Sequence, residues 1–218
     1  QGIKMTLSEY SVSHLADNIK HIHSLGFCEI GGVNLFEGNF DWGDEKYIQM
    51  LIPQLEELVD FYVENDNLRL DQMMNRKIEM CEIKNRPKKK WCGIGTGAIF
   101  FDIDGEKRPC PFVTPMTFDE KELEEICTYD YTKIEDFIDD LCFENCYIYP
   151  VCPHCAGANY LTQKTYKVRD KSKCKIQKLI TLYCADLQAK RIIKNPDRYD
   201  DRTKYNLINA IQNIKESY

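Results

Sequence analysis

The chain has no apolar run approaching the roughly 18 residues that a membrane span needs. Its start, Gln1-Gly2-Ile3-Lys4, lacks the basic-then-apolar order of a secretory leader. It also lacks an even number of cysteines: there are eleven, so complete internal pairing is impossible and a disulfide framework is a poor fit. These absences point to a cytoplasmic protein whose thiols are reduced or metal-bound. There is no basic excess either, with 29 Lys and Arg against 35 Asp and Glu. The one basic run, Arg86-Pro-Lys-Lys-Lys90, reads as a solvated linker face, and neither nucleic acid nor membrane is expected as a partner. The first residue is not Met, which suggests a fragment or a processed chain.

What the chain does have is a knot of thiols, Cys142-Phe-Glu-Asn-Cys146-Tyr-Ile-Tyr-Pro-Val-Cys152-Pro-His-Cys155. Thiolates are soft ligands, and short spacers with proline let the backbone double back so that several sulfurs converge on one centre. Charge divides the chain as well. Residues 1–70 carry 12 acids against 4 bases, and the remainder carries 23 acids against 25 bases. That asymmetry marks two regions of different character, 1–70 and 91–218, joined by a linker over 71–90.

Taken in order, residues 3–7 alternate as a strand, and Val12, Leu15, Ile19, Ile22 and Leu25 recur at helical spacing up to a stop at Gly26. An apolar run from Phe27 to Leu35 follows, then a loop with Gly38 and Gly43. Asp44 is placed to cap a helix with the stripe Tyr47, Ile48, Leu51, Leu55, Leu58, Val59 and Tyr62, bent at Pro53. Strand, helix, strand, helix is the order of parallel α/β units, and two such units cannot close a barrel. A short helix is expected near 71–80. Residues 98–103 and the segment after Asp104-Gly105 read as a hairpin flanked by Cys92 and Cys110.

Two short helices are expected near 119–127 and 133–141, and two longer ones over 173–193 and 200–216, with Leu207, Ile208 and Ile211 of the last turned inward. Cys174 begins the first long helix, where the dipole favours a thiolate. Cys184 lies about 15 Å further along the axis on another face, so Cys174 is assigned to metal and Cys184 to the core. Cys28, Cys81 and Cys127, isolated among apolar or helical residues, read as packing residues. His154 inside the knot is either a ligand or a hydrogen-bond donor to sulfur or backbone. Tyr147, Tyr149 and Tyr160 are expected to shield the metal from water, and Gly157 and Asn159 to form a turn after the last thiol.

Cys92-x12-Gly105-x4-Cys110, then Cys142-x3-Cys146-x5-Cys152-x2-Cys155, then Cys174 resembles the seven-cysteine SPASM motif of radical SAM enzymes that modify ribosomal peptides or proteins. The resemblance implies an α/β region followed by an α+β region: the last two strand–helix units of a partial (β/α)6 barrel, then a SPASM domain with a hairpin, a cysteine-rich loop and C-terminal helices. It implies two auxiliary [4Fe-4S] clusters, the first on Cys92, Cys110 and Cys155 and the second on Cys142, Cys146, Cys152 and Cys174. With three ligands the first would keep an open iron, or Cys81 would close it. Asn34 and Leu35, at a strand end, would face S-adenosylmethionine (SAM) at the barrel mouth.

The chain departs from the family in three ways. The first spacer of the knot is longer by one and the last shorter by one, no extra cysteine lies between Cys92 and Cys110, and Pro111 stands where sulfatase-maturing members carry an acid. No Cys-x3-Cys-x2-Cys triplet occurs, so the SAM-cleaving [4Fe-4S] cluster would belong to a missing N-terminal part. The implied partners are a cysteine-containing peptide or protein and an external electron donor. Two other readings compete: a zinc-binding interaction module on Cys142, Cys146, Cys152 and Cys155, and a simple iron–sulfur electron-transfer protein.

Overall fold

The computed structural model describes residues 2–37, 40–83 and 86–217; the expected loop glycine Gly38 lies outside them. Strand β1 (Ile3–Leu7) pairs in parallel with β2 (Ile30–Leu35), and the crossover that parallel pairing demands is supplied by α1 (Leu15–Ser24). Helix α1 stops as its spacing implies: Gly26 takes φ +87° and its N–H donates to the His23 carbonyl. Helix α2 (Glu45–Glu64) is capped by the Asp44 carboxylate, which accepts from the Lys46 N–H. It runs through Pro53, whose ring faces solvent, and buries the whole expected stripe from Tyr47 to Tyr62.

The two strands show opposite characters on their two faces. Met5 with Val33 and Leu7 with Leu35 stand on the core side, whereas Lys4 with Gly32 and Thr6 with Asn34 form the other. Parallel strands are normally covered on both faces; here Lys4, Thr6 and Asn34 of the second face are exposed. Trp42, fully buried, closes the loop after β2 by donating its indole N–H to the Phe36 carbonyl at 3.0 Å.

Residues 71–83 do not form the expected helix. Asp71 is buried and its carboxylate accepts from the amides of Met73 and Met74, which closes a turn, and a single 3-10 stretch (Ile78–Glu82) follows. The hairpin forms with shorter strands than expected, β3 (Phe100–Phe101) and β4 (Lys107–Arg108), around Gly105 at φ +83°. Helices α3 (Glu120–Thr128), α4 (Asp140–Asn145), α5 (Ala156–Gln163), α6 (Cys174–Lys194) and α7 (Asp201–Glu216) complete the chain. Leu207 and Ile211 of α7 are buried as expected, but Ile208 is 46% exposed, because the packed side of α7 is set by Leu207, Ala210, Ile211 and Ile214.

Two cores result: the larger crosses the charge boundary, and the smaller lies wholly within residues 91–218. The larger one joins the strand–helix units, residues of the 71–83 segment and helices α6 and α7; the smaller gathers Ile94, Val113, Phe118, Ile126, Phe137 and Tyr166. Helix α6 therefore has α2 on one side and the thiol knot at its N-terminal end, and it connects the two. The segment read as a linker is packed: Met73, Met74, Ile78 and Cys81 are all buried.

Candidate metal centre

All eleven cysteines are free thiols. The knot places its thiols at helix ends. In α4, the Asp139 carboxylate caps the helix by accepting from the Cys142 N–H at 3.0 Å, and Cys146 ends it by donating its N–H to the Cys142 carbonyl. Tyr149-Pro-Val151 then makes a single 3-10 turn before Cys152. Cys155 is the cap of α5, where its sulfur accepts from the Ala158 N–H at 3.4 Å. Cys174 opens α6. Gly157 and Asn159 thus lie within a helix, not in a turn, because the Cys155 cap starts α5 immediately.

Cys142, Cys146, Cys152, Cys155 and Cys174 line one cavity of about 50 Å³, room for a compact group larger than a single water. The thiols separate electrostatically into two sets. Burial raises the Cys152 thiol, and the charges of Cys146 and Cys174 raise it further; burial likewise raises Cys174, assisted by Cys142 and Cys146. Cys155 is pushed up to about 12, first by burial and then by Glu37, Cys110 and Cys92, against the Ala158 amide. Burial raises Cys110, and Cys92 adds to it. Charge thus acts between Cys155 and the hairpin pair Cys92 and Cys110, and between Cys174 and each of Cys142, Cys146 and Cys152, although Cys155 shares its cavity with the latter four. Among the described residues no three His, Cys, Asp or Glu side chains meet as the ligands of one metal ion.

The hairpin thiols are brought together by the backbone. The Gly95 N–H, just past Cys92, donates to the Pro109 carbonyl, just before Cys110, at 3.1 Å. Gly95 sits at φ +67°, and a Cβ there would lie 2.1 Å from Tyr131. Phe112, two residues after Cys110, presses on Gly157, two after Cys155, where a Cβ would be 2.6 Å from the ring. This contact ties the hairpin to the knot.

Several neighbours of the thiols escaped the sequence reading. The Lys171 ammonium donates to the Cys142 sulfur and to the Asp139 carboxylate, both at 2.7 Å. Burial pushes the Asp139 carboxyl up, yet Lys171 and the Arg169 and Cys142 amides prevail and hold it at about 2. Lys173 pairs with Glu37 on the cavity wall. A signal was present in Arg169-Asp-Lys-Ser-Lys-Cys174, where bases crowd the approach to a thiol. His154 is driven down to about 3 by burial and by Arg169, so it is neutral, and its Nδ1 is buried without a partner.

Cys184 is in the core as expected, its thiol donating to the Met73 carbonyl at 3.3 Å, and Cys81 is buried as expected; other assignments change. Cys28 and Cys127 are exposed, not packed, because the loop at 25–29 and the outer side of α3 turn them to solvent. None of Tyr147, Tyr149 and Tyr160 lines the cavity: Tyr147 hydrogen-bonds Glu82, Tyr149 lies under the Arg169 guanidinium, and Tyr160 bonds Glu125 in the smaller core. The basic run is not simply solvated. Arg86 stacks on Phe143 and Tyr149, Lys88 pairs with Glu135 and Asp140, and Lys90 donates to three oxygens, including the Tyr131 carbonyl. Asn34 and Leu35 line a cavity of about 440 Å³ at the C-terminal end of β2, together with Arg76, Trp91 and Pro153.

Set beside known proteins, the chain matches no family model, and no curated protein and no solved structure shows significant similarity to it. Among the described residues no helix is long and apolar enough to cross a membrane.

Proposed function

We propose that this chain is the C-terminal part of a radical SAM/SPASM enzyme that modifies a ribosomal peptide or protein, and that it binds two auxiliary [4Fe-4S] clusters. The observation that carries this reading is the convergence of Cys142, Cys146, Cys152, Cys155 and Cys174 on one cavity, with Cys92 and Cys110 drawn together by the hairpin backbone. The donor chemistry fits: thiols of Cys92, Cys110 and Cys155 would hold one cluster, and those of Cys142, Cys146, Cys152 and Cys174 the other. When bound, such clusters supply one-electron redox chemistry, and one with an incomplete thiolate set supplies a position for a substrate donor.

The chain's own residues would do the rest. The Ala158 amide on Cys155 and the Lys171 ammonium on Cys142 stabilise the thiolate forms and make the sites more oxidising. Phe112 against Gly157 fixes the distance between Cys110 and Cys155 within the first set. The uncovered polar face of β1 and β2 supports a place beside further barrel strands, where Asn34 and Leu35 would meet SAM. Reduced, metal-bound thiols suit the cytoplasm.

A single zinc on the four knot cysteines fits less well, because it leaves Cys174, which lines the same cavity, and the hairpin pair Cys92 and Cys110 without a role. Anaerobic purification with iron, sulfide and zinc analysis tests the proposal: about eight irons and eight sulfides per chain with a broad band near ~400 nm are expected, whereas one zinc on a colourless chain would end it.

A further inference from the structure

Beside the thiol cavity runs a cleft whose charge is unlike that of the whole chain. The cavity at the end of β2, about 440 Å³, continues into a second of about 290 Å³, the two sharing Met80, Lys89, Trp91 and Pro150. Arg76, Lys77, Arg86, Lys89, Lys90 and Arg169 line the pair. Among the described residues none of these six cations has a carboxylate partner within ion-pair distance, although the chain as a whole is at net −6. Glu37, the single acid on the lining, is paired with Lys173.

Arg169 is the telling member. It is 7% exposed, its guanidinium lies 4.0 Å from the centre of the Tyr149 ring, and its Nε is buried without a hydrogen-bond partner. Among the described residues no carboxylate lies within ion-pair distance of this buried guanidinium, whose fork suits one. Aromatic surface lies beside the charges in Trp91, Phe143 and Tyr149. The end of this cleft at His154 and Arg169 is also a wall of the thiol cavity.

We infer that this cleft binds an acidic, aromatic-containing peptide segment of the substrate and leads it to the thiol-lined cavity. That the ligand is a peptide rests on the function proposed above; its negative charge rests on the cleft. An extended nucleic acid is disfavoured, since the positive surface is confined to two adjoining cavities on an acidic chain.

The test is fluorescence anisotropy on the anaerobically reconstituted chain with a short fluorescein-labelled peptide alternating Glu and Ser around one Phe. The matching Lys peptide, a single-stranded oligothymidylate of equal charge and the exposed double variant K77E/K89E are the controls. The acidic peptide is expected to bind, the Lys peptide at least ~10-fold more weakly, and the variant to lose at least ~10-fold with its melting temperature and iron content unchanged. Equal binding of the Lys peptide, tighter binding of the oligothymidylate, or an unaltered K77E/K89E would each overturn the inference. Iron is counted on the same samples. A chain that binds the acidic peptide but takes up no iron keeps the cleft and removes the cluster reading; a fully loaded chain that ignores the peptide removes the cleft alone.

Discussion

Replacing Gly157 by Ala probes the tie between hairpin and knot without touching a thiol. The new Cβ would stand 2.6 Å from Phe112 Cδ1 and 3.4 Å from two further ring atoms, whereas carbons pack at about 3.5–4.0 Å. The ring must retreat by about 1 Å, an overpacking cost of about 1–3 kcal/mol. Alanine returns about 1 kcal/mol through helix propensity. The net loss is about 0–2 kcal/mol, and at 2–4 °C per kcal/mol for a chain of this size the melting temperature should fall by no more than about 8 °C. The larger effect is local: moving Phe112 shifts Cys110 away from Cys155, so G157A should keep about four of its eight irons. Iron analysis and thermal melts on the same preparation read both effects. Enlarging the space with F112A should restore iron to the double variant, with a coupling of about 1 kcal/mol or more. Full iron and an unshifted melt in G157A would refute the reasoning.

Three further outcomes are expected. The Asp139 carboxyl is held at about 2, below its unfolded value, so its contribution is fully present above about pH 4 and is lost as pH falls through 2; D139N should lose about 1–2 kcal/mol at pH 7 and show a flatter acid limb in denaturant titrations from pH 5 to 2. In alkylation of the metal-free chain at pH 8, exposed Cys28 should react at once, while Cys81 and Cys184, pushed by burial to about 12 and about 11, should wait for unfolding; equal rates would contradict their placement. Trp42→Ala should cost about 3–5 kcal/mol, read by urea denaturation, because the indole is fully buried and bonded to Phe36.

The elements with a strong local signal were legible in the sequence. The Asp44 cap and seven-residue stripe specify α2, and Gly26 specifies the end of α1, since backbone and side chain there agree with one period. The 71–83 segment was misread because the Asp71 carboxylate serves the amides of Met73 and Met74 and is sealed beneath Tyr62, a tertiary arrangement with no periodic trace. The knot's spacing anticipated that its thiols would share one site, and they line one cavity, but it did not show which side chains would surround them. Lys171 reaches Cys142 across 29 positions, and Arg86 and Arg169, far apart in sequence, meet over Tyr149. The reading of a free linker failed for the same reason: Arg86 and Lys90 are held by aromatic rings and carbonyls supplied from residues far along the chain.

The central claim is that seven thiols form two separate sites, and iron per chain in single and double cysteine variants measures it most directly. C155A and C174A should each retain about four irons and the double variant almost none, all without zinc. Variants that each lose all iron together, or a wild-type chain that takes up one zinc in place of iron, would contradict it.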